Sequence, residues 1–121
     1  MALSEIELGY LATQRLGRLA TARPDGTLQN NPVSFGYNQD TGTIDIGGYN
    51  MAASRKYRNL ADNAHIAFVV DDIASVSPWR VRMVEIRGRG EAIETPEDSA
   101  APIGGPIIRI HPERVISFGL D

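Results

Sequence analysis

The stretch from Asn50 to Leu60, NMAASRKYRNL, places three cations within four positions: Arg55, Lys56 and Arg58. Ser54 and Asn59 add a hydroxyl and an amide beside them. Such a set can grip an anion. A phosphate is held by several positive or N–H donors converging from different directions, and arginine presents a planar fork to it. Read as a helix, the stretch sets Arg55 and Asn59 four apart on one face and Ser54 and Arg58 four apart likewise, with Lys56 between them. A solvated cationic face has the same spacing, so spacing alone leaves both readings open. Gly47-Gly48 lies just upstream; it lets the backbone approach a ligand closely, or makes a plain β-bulge.

Other residues carry weaker signals. Asn30-Asn31-Pro32 falls mid-strand although two amides and a proline are poor strand formers. Either a ligand takes their hydrogen bonds or Pro32 sits on a sheet edge. Trp79, the only tryptophan, can stack on a flat ligand, seal a subunit interface or pack in the core. His65 opens an apolar run and reads as structural, and His111 precedes Pro112 and reads as a turn residue. Two isolated histidines without a carboxylate at ligand spacing do not make a metal site. Ser34, Ser54, Ser75 and Ser77 lack the context of a nucleophile elbow. Asp71-Asp72 could bind a cation, but a paired acidic turn reads first as solvated.

The totals narrow the classes. With 121 residues the chain suits one domain with one core. Twelve basic against 15 acidic residues give a net charge of −3, the opposite of the basic excess that a nucleic-acid binder carries. The absence of cysteine excludes thiol catalysis, disulfides and cysteine-based metal sites, and suits a reducing cytoplasm. The start, MALSEIE, has neither the cationic residues nor the apolar run of a signal peptide, and no segment approaches a membrane span. A soluble, cytoplasmic protein is the expectation.

The elements that must position these residues follow from local patterns. Ser4 and Glu7 form a capping box for a short amphipathic helix over 4–14. Alternation over 16–23, the turn Pro24-Asp25-Gly26-Thr27 and a strand from Leu28 to Tyr37 make a hairpin. Thr43 to Ile46 is a third strand, Met51 to Leu60 a helix, and His65 to Val70 a fourth strand closed by Asp71-Asp72. Residues 79–94 form one long strand whose glycines mark bends. Thr95 to Pro106 is a loop, and Ile107–Ile110 and Arg114–Phe118 are two short strands flanking His111-Pro112. Hairpin connections dominate, so the fold class is mostly β with short helices, an antiparallel barrel rather than a doubly wound sheet.

In this order and spacing the motifs resemble the pyridoxamine 5′-phosphate oxidase-like split β-barrel superfamily of flavin and deazaflavin oxidoreductases, over nearly the whole chain. GRLATARPDGTLQNNPVSFGYN is similar to the family's first hairpin. SRKYRNLADNAHIAFVV is similar to its phosphate-gripping segment and following strand, and RMVEIRGRGEAIE to its central strand. RIHPERVISFGLD resembles the closing strand of the actinobacterial coenzyme F420-dependent branch.

The resemblance implies a homodimer with the cofactor in the groove between subunits. It assigns Ser54, Arg55 and Lys56 to the phosphate; Lys56, Arg58, Asn59 and Leu60 match the deazaflavin branch's Lys-x-Arg-Asn-Leu. Asn30, Asn31, Pro32 and Val33 would lie along the ring, with Gly47 and Gly48 close to the ligand. Trp79 to Met83 of the partner subunit, Arg82 and Met83 included, would approach the ring from the other side. Departures from pyridoxamine phosphate oxidases themselves fall near Asn31, where those have Arg, and at Arg82-Met83, where they have Arg-Gln. A C-terminal substrate-binding segment is also missing before Asp121. These point away from pyridoxal phosphate synthesis.

The implied activity is hydride transfer from coenzyme F420 to an electron-poor double bond of a small organic substrate. The alternatives are an FMN-binding flavin reductase or oxidase of the same fold, or a carrier that binds flavin, F420 or haem without turnover. Trp79, Met83 and Phe35 would wall the substrate pocket, and no residue is assigned as proton donor.

Overall fold

The computed structural model describes residues 3–121; Met1 and Ala2, part of the chain start read above, lie outside them. Ser4 Oγ accepts the Glu7 N–H at 3.2 Å and the Glu7 carboxylate accepts the Ser4 N–H at 2.8 Å. This reciprocal cap opens helix α1 (Glu5–Ala12), which turns Tyr10 and Leu11 into the core. Strands β1 (Leu16–Ala22) and β2 (Leu28–Asn38) form the expected hairpin. Its turn is held by the Thr27 N–H donated to Asp25 Oδ1 at 2.9 Å and by Gly26 at φ 88°, a conformation that glycine adopts without steric cost.

Next come β3 (Thr43–Ile46), a single 3-10 turn (Met51–Ala53), helix α2 (Arg55–Asn59), β4 (His65–Val76), β5 (Trp79–Ile93) and β6 (Ile107–Phe118). Every neighbouring pair is antiparallel, and the strands close into a barrel in the order β1-β2-β3-β6-β5-β4. Alternate residues fill it: Leu19, Phe68, Val70, Val84, Ile86 and Ile110 are fully buried. Closure leaves no free sheet edge. The long strands curve at glycines: an added Cβ at Gly88 would overlap the His111 carbonyl, and one at Gly90 would press on Leu60 beyond α2.

Three expectations are corrected. β4 does not stop at Asp71-Asp72 but runs on to Val76, because both carboxylates meet arginines: Asp71 pairs with Arg18 at 2.5 Å and Asp72 with Arg82. His111-Pro112 is not a turn but lies within a continuous β6. A bulge makes Glu113 the extra residue opposite the Arg87–Gly88 step, and Pro112, facing Gly88 there, is tolerated where the ladder is already interrupted. The expected helix over 51–60 is broken at Ser54, whose φ of −75° and ψ of 150° are extended. Ser54 is the N-cap of α2, its Oγ accepting the Tyr57 N–H at 3.4 Å and donating to the Met51 carbonyl at 2.6 Å. A serine at this point ends one turn and starts another, since its side chain competes for backbone partners.

Candidate functional site

The cationic turn is held to the barrel from below. Asn59, the last residue of α2, is buried and donates its amide to Thr21 Oγ1 on β1 at 3.0 Å and to Gln29 Oε1 on β2 at 3.4 Å. Leu60 is buried beside it. With Asn59 and Leu60 turned inward, Arg55 and Arg58 are exposed and Lys56 is half-buried. Arg18, Arg82, Arg87 and Arg109 form ion pairs among the described residues; Arg55, Lys56 and Arg58 form none. Arg58 Nε reaches only the Ser54 carbonyl, at 3.5 Å. Among the described residues, three cations left together without an ion-pair partner have most of their donors open to solvent, where an external anion can meet them.

Strand parity divides the second candidate segment. Pro32 pairs with Arg18 and Asn30 with Ala20, while Asn31 pairs with Leu19 and Val33 with Gly17. Asn30 and Pro32 are therefore on the outer face of the barrel with Arg18 and Ala20. Asn31 and Val33 are on the inner face, Val33 buried in the core and Asn31 accepting the Gln29 amide at 2.7 Å. A ligand on the outer face meets Asn30 and Pro32 by side chain, and Val33 only through its backbone. Gly47 is likewise occupied: it is buried, and a Cβ there would overlap the Ile103 carbonyl. Gly48 meets nothing closer than Met51 Cε at 3.5 Å. It opens a cleft of about 420 Å³ between the segment up to Ala53 and the loop at Ile103–Pro106.

The residues expected from the β4–β5 hairpin are split too. Trp79 is 64% exposed at the hairpin tip, beside exposed Ile73 and Val76. Met83 lies half-buried on the outer face, paired with Phe118. Arg82 is ion-paired within the chain. Its Nε donates to Asp72 Oδ1 at 2.8 Å, a second contact joins Nη2 to Asp72 Oδ2, and its guanidinium lies 5.2 Å from the Tyr10 ring centre. The Arg82 hydrogen bond holds the Asp72 carboxyl below its usual range. Burial and then the hydrogen bond to Asp72 push the Tyr10 hydroxyl upward.

A buried charge cluster was not anticipated. Asp45 on β3 is fully buried. It accepts two bonds from Arg109 at 2.9 and 3.1 Å, the Ala100 N–H at 3.0 Å, Asn38 at 3.0 Å and Thr43 at 2.9 Å. Burial raises its pKa, but the Arg109 hydrogen bond and then the Ala100, Asn38 and Thr43 donors outweigh that, and the carboxyl sits below its usual range. The only signal in the sequence was an aspartate between two isoleucines in TIDI, which alternation alone assigns to solvent. Among the described residues no cluster of His, Cys, Asp or Glu has metal-site geometry, and no helix is long and apolar enough to cross a membrane.

A barrel of this topology, with an open outer face and an uncommitted cationic turn beside it, defines a class that sequence and structure comparisons bear out. Residues 6–116 match the family model described as pyridoxamine 5′-phosphate oxidase. The chain belongs to that family of oxidoreductases. A curated relative, the 5a,11a-dehydrotetracycline/5a,11a-dehydrooxytetracycline reductase of Streptomyces rimosus subsp. rimosus, is 42% identical over 122 residues, 100% of this chain and 86% of that protein. Among solved structures, a conserved hypothetical protein of Mycobacterium tuberculosis superposes with a TM-score of 0.77 at 21% identity, over 99% of this chain and 87% of that one. A protein described as an F420 reductase superposes with a TM-score of 0.63 at 25% identity, over 84% and 89%.

Proposed function

We propose that this chain reduces an electron-poor carbon–carbon double bond of a small organic substrate, with coenzyme F420 as the hydride source, as a homodimer whose groove holds the cofactor. The observation that carries this reading is the turn Arg55-Lys56-Tyr57-Arg58, whose three cations have no ion-pair partner among the described residues, in a chain of net charge −3. The structure fits a phosphate-bearing ring system at two points. The cations offer charged donors at one, and the outer sheet face beside β1 offers a flat, small-residue floor at the other. The relative's name, a reductase of a dehydro compound, supports reduction of an unsaturated bond, and the F420 reductase likeness supports the deazaflavin.

When bound, the reduced deazaflavin supplies the hydride. The protein's part is to bind and orient. Lys56, Arg55 and Arg58 neutralise the phosphate, and Asn59 with Leu60 anchors their turn to the barrel. Asn30 and Pro32 face the ring from β2. The exposed apolar residues Ile73, Val76, Trp79 and Phe118 supply surface for the second copy, since exposed apolar residues gathered in one region mark interaction sites.

A fluorescence titration with F420 and an absorbance titration with FMN test the assignment. Micromolar or tighter F420 binding, with FMN at least tenfold weaker, is expected. The reverse order would make the protein an FMN-dependent reductase. Tight F420 binding without oxidation of the reduced cofactor across a panel of enones would make it a carrier.

A further inference from the structure

On the outer face of the barrel, β1, β2, β4 and β5 bring six side chains around one shallow pocket of about 300 Å³: Arg18, Ala20, Asn30, Ala67, Val69 and Glu85. The register explains the shape. Arg18 pairs with Val69, which pairs with Glu85, so the two charges stand in one row with a single strand between them. Two strand spacings put their backbones roughly 10 Å apart. In the next row Asn30, Ala20 and Ala67 lie side by side. Two neighbouring alanines leave a flat floor, while the longer Arg18, Asn30 and Glu85 rise around it.

These walls present a donor set and an acceptor set facing one another. Arg18 is otherwise engaged only by Asp71, at 2.5 Å with side chains 46% and 43% exposed. Among the described residues Glu85 is engaged only by Arg87, at 2.9 Å with side chains 24% and 53% exposed. Ion pairs this exposed hold an orientation at little energetic cost and give way readily to a ligand. A flat ring seated on the alanines therefore meets a guanidinium, an amide and a carboxylate at its rim.

Resting on the cofactor reading above, we infer that Arg18 and Glu85 recognise the imide edge of the bound ring. Glu85 accepts the imide N–H and Arg18, across Val69 in the same row, donates to the carbonyl on its side, while Asn30 stands beyond Arg18 at the flank of the ring. An imide alternates carbonyl, N–H and carbonyl, so an acceptor beside a donor is the complement of its N–H and one flanking carbonyl. The edge is common to flavins and deazaflavins; these residues select the ring, and the cationic turn selects the phosphate.

The test uses phosphate-free probes, 5-deazariboflavin and riboflavin, each also as its N3-methyl derivative, titrated into the full-length protein, the Glu85→Ala variant and the Arg18→Ala variant. Thermal melts check that both variants fold, as expected for exposed Arg18 and half-buried Glu85. The wild-type protein should bind each parent ring at least about tenfold tighter than its N3-methyl derivative, the scale of one hydrogen bond to a charged group. Glu85→Ala should weaken the parent to a similar extent and abolish the N-methyl penalty, and Arg18→Ala should weaken both probes alike. A penalty that persists undiminished in Glu85→Ala overturns the inference while leaving the cofactor reading intact. Failure of the wild-type protein to bind F420 or FMN as well overturns both.

Discussion

Two charged regions of this barrel are built in opposite ways. Around Asp45 every charge is spent inside the protein. The carboxylate is fully buried and takes five hydrogen bonds, and its arginine partner is only 13% exposed. Around Arg55, Lys56 and Arg58 no ion pair is made among the described residues; the uncharged Ser54 and Asn59 of that turn hydrogen-bond inward and Leu60 packs there. One aspartate in a low-dielectric site must be paired, since an orphaned buried charge costs several kcal/mol. Three cations at the surface need no partner. The first arrangement holds a fold, and the second leaves charge at the surface, as the proposed phosphate site requires.

The difference can be broken most strongly at Asp45. Asp45→Ala leaves Arg109 without its carboxylate and the Ala100 N–H without an acceptor, so urea denaturation should show a loss of about 3–5 kcal/mol. Cofactor affinity of the protein that remains folded should change little. In the cationic turn the pattern reverses. Lys56→Ala and Arg58→Ala should each weaken F420 binding by about 1.5–3 kcal/mol and leave the melting temperature within a degree or two. Unchanged affinity in both variants would remove the phosphate assignment.

A smaller effect is expected where the loop at 98–103 crosses the sheet. Gly36→Ala places a methyl against the Ala100 carbonyl, next to the N–H that bonds Asp45. Overpacking of this kind costs about 1–3 kcal/mol, and combining it with Asp45→Ala should cost less than the sum, because both release the same loop. Strict additivity in a double-mutant cycle would show that Asp45 does not hold the loop.

Much of the scaffold was legible locally. The capping box at Ser4 and Glu7, the PDGT turn and the alternation over 79–94 each specify their element within a few residues. What was not legible depends on distant partners. Asp71-Asp72 reads as a turn unless Arg18, 53 positions earlier, is known to stand beside it; His111-Pro112 reads as a turn unless the bulge opposite Gly88 is known. In the site, the cations and Asn30 were readable by type. That Asn31 and Val33 face inward follows from period-two alternation, a rule at odds with treating the segment as one ligand-facing unit. Arg18 and Glu85 gave no signal at all, because their pocket is made by Ala20 meeting Ala67 across strands far apart in sequence.

The smallest effect separates the two regions by pH. Asp45 has a carboxyl pKa lowered by folding, so the unfolded chain binds that proton more readily than the folded one. Its contribution to stability is therefore complete above the ordinary aspartate value of about 3.9 and is lost as pH falls through the lower folded value. Asp72 and Glu7 are lowered too, and they add to the acid slope of the whole protein. Subtracting the Asp45→Asn variant from the wild-type protein isolates the one carboxylate. The stability difference should be flat from pH 7 to about 4.5 and narrow below that. A difference that stays constant down to pH 2.5 would mean that folding leaves the Asp45 carboxyl unshifted and that Arg109 pairs with something else, and one that rises as pH falls from 7 would mean that Asp45 is protonated in the fold. The cationic turn, with no carboxylate in ion-pair contact among the described residues, should contribute little to this curve, and Lys56→Ala should follow the wild-type slope throughout.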